Sequence, residues 1–331
     1  MNYSELEQLL STTRRVVITT HRSPDGDAIG SSTALYQILS KRNHDVSVIV
    51  PDAFPKFLSW MDPNRSICQF DTNRAEAEEL IGSAEVIFSL DYNTLGRVGD
   101  VGQLISKSNA TKVLIDHHLS PDSGFDFILS DTTASSTAQL VFDFAAEMNM
   151  QDEIDVPTSE SLYAGIVTDT GSFRFPSTSA HTHEIVMELM RIGLKPESIH
   201  QKIYDTNNLS RLRLIGYALS QKLEVDAQTQ TAIIPLSLEE KNRFKYIKGD
   251  TEGLVNYGLS IEGVRMAVFM SEELNAVKFS FRSKGDVDVN QFARSFFNGG
   301  GHKTAAGGKL DLKLSEAIDH LKKVLHENNE L

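Results

Sequence analysis

Four short stretches of the chain carry acids and histidines at spacings that suit cation chemistry. His21, Asp25 and Asp27 lie in HRSPDGDAIG, directly after an apolar run. Asp91 follows VIFSL, Asp116, His117 and His118 follow KVLI, and Asp169 stands in TDTGSFRF. Each has an ordinary explanation when taken alone. Pro24 and Gly26 fit a tight loop, Asp27 can cap a helix beginning near Ala28, and an Asp after a buried strand is commonly a turn residue. A single buried, hydrogen-bonded His is equally common. Together, however, these residues form a mixed carboxylate and imidazole set. Such a set suits a pair of divalent ions such as Mn²⁺, with Mg²⁺ or Co²⁺ as alternatives, better than a thiolate-selected zinc. Cys68 stands alone, so no multi-cysteine site or internal disulfide is available.

A second constellation lies late in the chain. Glycines in NGGGHKTAAGG, including Gly299, Gly300 and Gly301, allow backbone N–H groups to approach a phosphate closely, with His302 beside them as a donor. The plainer reading is a tight turn before an edge strand. Arg282, at the end of a strand pattern, is either a solvated charge or a phosphate ligand. Asn93, Arg97, Ser136, Thr137 and Arg174 lie near the motif segments and can meet an anion, although capping or solvation accounts for each. His181 and His183 start a helix of mixed polarity and read as surface residues.

The elements that must position these residues follow from the pattern. Apolar, β-branched runs at 15–20, 45–50, 86–90 and 112–115 alternate with helical stretches such as 28–42 and 73–81, the signature of a parallel sheet wrapped by helices. In open parallel sheets the carboxyl ends of the strands bind ligands, and the polar clusters follow three of these strands. Helical patterns continue over 135–147, 158–168, 178–191 and 207–221. Beyond residue 230, TAIIPL, VRMAVFM and AVKFSFR read as strands, and 315–326 as an amphipathic helix. The expected organisation is an α/β domain with helices on both faces over 1–195, a helical connector over 196–226, and a smaller mixed α/β domain over 227–331.

Composition bounds the partners. At 331 residues the chain has room for two domains, and 40% hydrophobic with 23% charged residues is a globular balance. No window approaches the roughly 18 apolar residues of a membrane helix, and the N-terminus lacks a secretory signal, so a cytoplasmic protein is expected with no membrane partner. The net charge of −13 and the lack of a dense Lys/Arg run argue against long nucleic acid as a partner.

The segments HRSPDGDAIG, Asp91, IDHHLSP and TDTGSFRF, followed by FRSKGDVDVNQFARSFFNGGGHKTAAGG, resemble the successive motifs of the DHH phosphoesterase superfamily with the first type of DHH-associated C-terminal domain, DHHA1. Within it the chain is similar to the NrnA-like nano-RNase and pAp-phosphatase branch. The resemblance implies that His21 and Asp25 bind one metal, Asp27, His117 and Asp169 another, and that Asp91 bridges both. It assigns Asp116 to orienting the site, and His118 to touching the scissile phosphate or helping the leaving oxygen. Arg282 and the Gly299–His302 segment correspond to nucleotide-phosphate ligands. The implied activity is hydrolysis of short oligoribonucleotides and of 3′-phosphoadenosine 5′-phosphate (pAp) to mononucleotides. Linear dinucleotides such as pApA or pGpG are an alternative substrate class, and a non-catalytic nucleotide-binding regulator is an alternative role. A homodimer is one open state of association.

Overall fold

The computed structural model describes residues 1–328, so the last three residues of the expected second domain, 329–331, lie outside the described residues. The chain divides into two compact units, Met1–Thr206 and a second beginning at Asn207.

The first unit runs α1 (Tyr3–Leu9), β1 (Arg15–Thr20), α2 (Gly26–Lys41), β2 (Asp45–Val50), β3 (Cys68–Gln69), α3 (Arg74–Ser83), β4 (Val86–Leu90), α4 (Asp100–Lys107), β5 (Thr111–Asp116), β6 (Phe127–Ser130), α5 (Thr137–Glu147), α6 (Val156–Asp169), α7 (Ala180–Ile192) and α8 (Pro196–Tyr204). Its six strands stand in the order β3-β2-β1-β4-β5-β6, and every pairing is parallel. Because side chains alternate along a strand, one set of residues faces each layer of helices. Val16, Ile18, Val86, Phe88, Val113 and Ile115 join the core with α2, α5 and α6. Val17, Ile87 and Leu114 join a second core with α3 and α4. Burial on both faces explains why these strands read as continuous apolar runs. The short strands β3 and β6 lie at the sheet's two edges, and neither had an apolar run long enough to be read from sequence.

The second unit comprises α9 (Leu209–Tyr217), β7 (Glu224–Asp226), β8 (Thr231–Leu236), α10 (Leu238–Arg243), α11 (Leu254–Leu259), β9 (Met266–Glu272), β10 (Val277–Ser283), α12 (Val289–Phe296), β11 (Gly300–His302), β12 (Ala305–Leu310) and α13 (Leu314–Glu327). The strand order is β11-β12-β10-β9-β8-β7, with β8 and β9 parallel and the other pairs antiparallel. Phe279, Phe281, Phe292 and Phe297 pack with α13 on one face, while Ala232, Ile234 and Phe269 face α9 and α11 on the other. The expected fold class, a parallel α/β domain followed by a smaller mixed one, describes both units. Within the 196–226 stretch the structure assigns α8 to the first core, through Ile199 and Ile203, and α9 to the second, through Leu214.

Close helix packing carries the N-terminal end of α2 toward α5 and α6. A Cβ on Gly30 would stand 2.6 Å from the Ser161 carbonyl oxygen and 2.8 Å from the Gly165 nitrogen. On Gly165 it would stand 2.5 Å from the Ala138 Cβ and 2.8 Å from Asp27 Oδ1. Alanine ordinarily gains about 1 kcal/mol over glycine inside a helix, but overpacking a tight contact costs about 1–3 kcal/mol. Gly165→Ala should therefore destabilise the protein by up to about 2 kcal/mol, read as a lower urea midpoint. Gly82→Ala in α3, where a Cβ meets nothing within 4 Å, should stabilise it by about 0.4–1 kcal/mol. Equal behaviour of the two variants would refute the packing argument.

Candidate metal centre

In the first unit the direction of winding reverses between β1 and β4, and the polar segments leave the sheet there at the carboxyl ends of β1, β4 and β5. β1 leads into His21, β4 into Asp91, and β5 ends at Asp116 before His117 and His118. Asp27 comes from the first turn of α2 and Asp169 from the last residue of α6. The helix cap differs from the sequence expectation. Asp25, not Asp27, is the N-cap of α2, its Oδ1 accepting from the Asp27 and Ala28 amides at 3.1 Å each. Gly26 is likewise the first helical residue rather than part of a loop, and a Cβ there would collide with the Thr168 side chain.

Asp91 occupies the middle. Its Oδ2 lies 3.3 Å from His21 Nε2 and its Oδ1 3.5 Å from His117 Nε2. His21 Nε2 is also 3.9 Å from Asp25 Oδ1. His117 Nε2 is 3.5 Å from Asp169 Oδ2 and 3.9 Å from Asp27 Oδ2. Ligand-capable atoms therefore gather into His21–Asp25–Asp91 and Asp27–His117–Asp169, each set within 4.8 Å. The far nitrogens of both rings meet carbonyls, His21 Nδ1 with Arg22 at 2.9 Å and His117 Nδ1 with Ala134 at 3.4 Å. A ring N–H given to a carbonyl leaves the Nε2 lone pair facing the carboxylates. Asp91 adopts a left-handed backbone, φ +64°, a conformation that Asp tolerates better than most residues.

The charge pattern fits divalent cations. Burial pushes the Asp27 carboxyl well above its ordinary range, and the Asp91 and Asp169 charges add to the effect. Burial opposes charge on His117 and His21 too, yet the Asp91 hydrogen bond and neighbouring acids outweigh it and raise both imidazoles. Excess negative charge thus favours positive charge beside these rings, and a cation would satisfy the same field. Asp116, fully buried, accepts from His118 Nδ1 at 2.7 Å and from the His118 amide at 3.1 Å. Those bonds occupy both its oxygens and aim the His118 ring. Burial keeps the His118 pKa low, with Asp116 opposing and Arg97 reinforcing the effect.

The remaining candidates separate. Thr137 donates its amide to Asp27 Oδ2 at 2.6 Å and its hydroxyl to Asp91 Oδ1 at 3.0 Å, and the Ala138 amide reaches Asp27 Oδ1 at 2.8 Å. Ser136 is the N-cap of α5, accepting from Gln139 at 3.0 Å. Asn93 holds the loop after His118, donating to the Leu119 carbonyl at 2.6 Å. The Arg97 carbonyl accepts from the Arg22 amide at 2.8 Å, and exposed Arg174 donates to the Gly171 carbonyl at 2.7 Å. His181 pairs with Asp143 at 2.8 Å on the surface, and His183 is also exposed and packs near the Phe173 ring. Sequence reading missed the Ala138 amide and Tyr92, whose buried hydroxyl lies 2.7 Å from Thr19 and 2.6 Å from Ser89. The Ser136-x-x-Gln139 spacing was the available signal for amide donors at that helix start.

In the second unit, Arg282 on β10 and His302 on β11 both pair with Ala305 of β12, so the three share one face of the sheet. One strand, β12, separates the arginine from the histidine, two spacings or about 10 Å at ordinary strand separation. The Arg282 Nε is buried without a hydrogen-bond partner. The glycines are less free than their sequence suggests. Gly299 donates to the Ala293 carbonyl at 3.2 Å and Gly301 to Asn290 Oδ1 at 2.9 Å. A Cβ on either would collide with the backbone of β12.

Residues 15–166 match the DHH family, N-terminal domain, and residues 231–328 match the DHHA1 domain. The Bacillus subtilis bifunctional oligoribonuclease and PAP phosphatase NrnA is 27% identical, over 93% of this chain and 93% of its own. The protein of the same name from Thermus thermophilus is 28% identical, over 94% of this chain and 89% of its own. The crystal structure of an exopolyphosphatase-related protein from Bacteroides fragilis matches at 38% identity and a TM-score of 0.94, covering 99% of this chain and 96% of that one. With strand ends, acids and imidazoles arranged as described and both domains matched, this chain belongs to the DHH family and carries its DHHA1 domain.

Proposed function

We propose that this protein is a metal-dependent phosphoesterase that hydrolyses short oligoribonucleotides to mononucleotides and pAp to AMP. The observation that carries the reading is Asp91, whose two oxygens face His21 on one side and His117 on the other. In this reading His21 and Asp25 hold one divalent cation, Asp27, His117 and Asp169 a second, and Asp91 is shared. The oxygen and imidazole donors suit Mn²⁺. When bound, such a pair supplies Lewis acidity and offsets the charge of a phosphate undergoing in-line displacement.

The chain's own residues do the rest. Asp116 fixes the His118 tautomer through Nδ1, and His118 is the group that meets the scissile phosphate or the leaving oxygen. Arg282 and His302 offer cationic and donor groups to another phosphate of the substrate, making the second unit the substrate-binding domain. The relatives named for oligoribonuclease and PAP phosphatase activity support this substrate class. So does the net charge of −13, which disfavours a long polyanion held along an extended track.

Chelation should abolish hydrolysis of pAp and of labelled dinucleotides, and Mn²⁺ should restore it. Asp91→Ala should be more damaging than His21→Ala because it removes a shared ligand, and it should also lose the rise in melting temperature that Mn²⁺ gives the wild type. Full turnover by Asp91→Ala in chelator would rule out the metal reading.

Arg282→Ala and His302→Ala should keep Mn²⁺ binding but lose roughly 10- to 1000-fold in kcat/KM on pAp or a dinucleotide. Bis-p-nitrophenyl phosphate, which offers no second phosphate, should be much less affected. If both variants cleave dinucleotides at the wild-type rate, selection lies elsewhere.

A further inference from the structure

We propose that Thr137 is a positioning residue that, from the start of α5, holds the Asp27 and Asp91 carboxylates toward the Asp27–His117–Asp169 cation position. The inference rests on the two-cation reading above and adds a residue that touches neither substrate nor cation. Thr137 is fully buried and divides its donors between two carboxylates. Its amide reaches Asp27 Oδ2 at 2.6 Å, and its hydroxyl reaches Asp91 Oδ1 at 3.0 Å.

The division is asymmetric. Oδ1 of Asp91 is the oxygen turned toward His117, at 3.5 Å, whereas Oδ2 is turned toward His21, at 3.3 Å. The hydroxyl therefore braces the Asp27–His117–Asp169 side of Asp91. Asp91 needs a brace, since its left-handed backbone carries a conformational penalty and a carboxylate can rotate about its terminal bond. Removing a group that orients a ligand typically costs 10- to 100-fold in metal affinity. Here that loss should fall on one cation position and spare the other.

Thr137→Val keeps the amide and the shape and deletes only the hydroxyl. In full-length protein titrated with Mn²⁺ by calorimetry, the wild type should bind two ions, and Thr137→Val should weaken one of them by roughly 10- to 100-fold. Thr137→Ser should restore wild-type binding. Two backgrounds identify the affected position. Combined with His21→Ala, the valine change should remove the remaining tight ion; combined with His117→Ala, it should alter the remaining ion by less than about 3-fold. The spin-coupled Mn²⁺ pair signal in electron paramagnetic resonance should weaken in parallel.

If Thr137→Val fails to fold by circular dichroism, Thr137→Ala deletes the same hydroxyl with less bulk and is read in the same titration. The proposal is overturned if the folded variant binds both ions as the wild type does, if serine behaves like valine, or if both positions weaken equally. A wild type that binds fewer than two ions would instead overturn the two-cation reading, so the two failures are distinguishable.

Discussion

The arrangement depends on keeping several carboxylates close together and away from water. Asp27, Asp91 and Asp116 are 1%, 2% and 0% exposed. Each buried charge costs several kcal/mol unless donors or opposite charge replace its hydration. The fold answers with a different device for each acid. Asp27 lies against two amides at the start of α5, Asp116 grips the ring and amide of His118, and Asp91 stands between two imidazoles with a threonine hydroxyl beside it. The Asp27 device survives only while α2, α5 and α6 approach closely, and for that reason the glycines at 30 and 165 matter to the site along with its acids.

The second unit solves a different problem with small residues. Ala305 separates Arg282 from His302, so two donors share a sheet face with no bulky side chain between them. The Gly299–Gly301 run serves the tight pairing of β11 with β12, and Asn290 takes up the Gly301 amide. The Gly299 amide is likewise engaged, by the Ala293 carbonyl.

Much of this was legible in the sequence because parallel, doubly covered strands leave a strong trace. Runs such as VIFSL and KVLI mark both the strand and the point where a polar residue emerges at its end, so the acids and histidines of the first unit were found together. Arg282 and His302 were singled out through their motif, and the sheet register sets both opposite Ala305. What could not be read depends on contacts between distant elements. That Asp25 caps α2 while Asp27 turns toward α5 follows from how two helices dock, and nothing in PDGDAIG distinguishes the two acids. Thr137 looks like any first-turn threonine until Asp27 and Asp91 arrive, 110 and 46 residues away in the chain. The edge strands β3 and β6 were invisible because strands of 2 and 4 residues carry too little periodicity.

The left-handed backbone at Asp91 restricts which inherited changes the fold can absorb. Glycine and asparagine are the other residues at ease with φ near +64°, and neither carries a negative charge. Glutamate keeps the charge but gives up the short side chain that makes this conformation affordable. Position 91 is thus constrained from two independent directions, by chain geometry and by chemistry, and aspartate meets both at low backbone cost. A descendant that gave up catalysis would be freed from only one of them, so drift at this position should run toward glycine or asparagine.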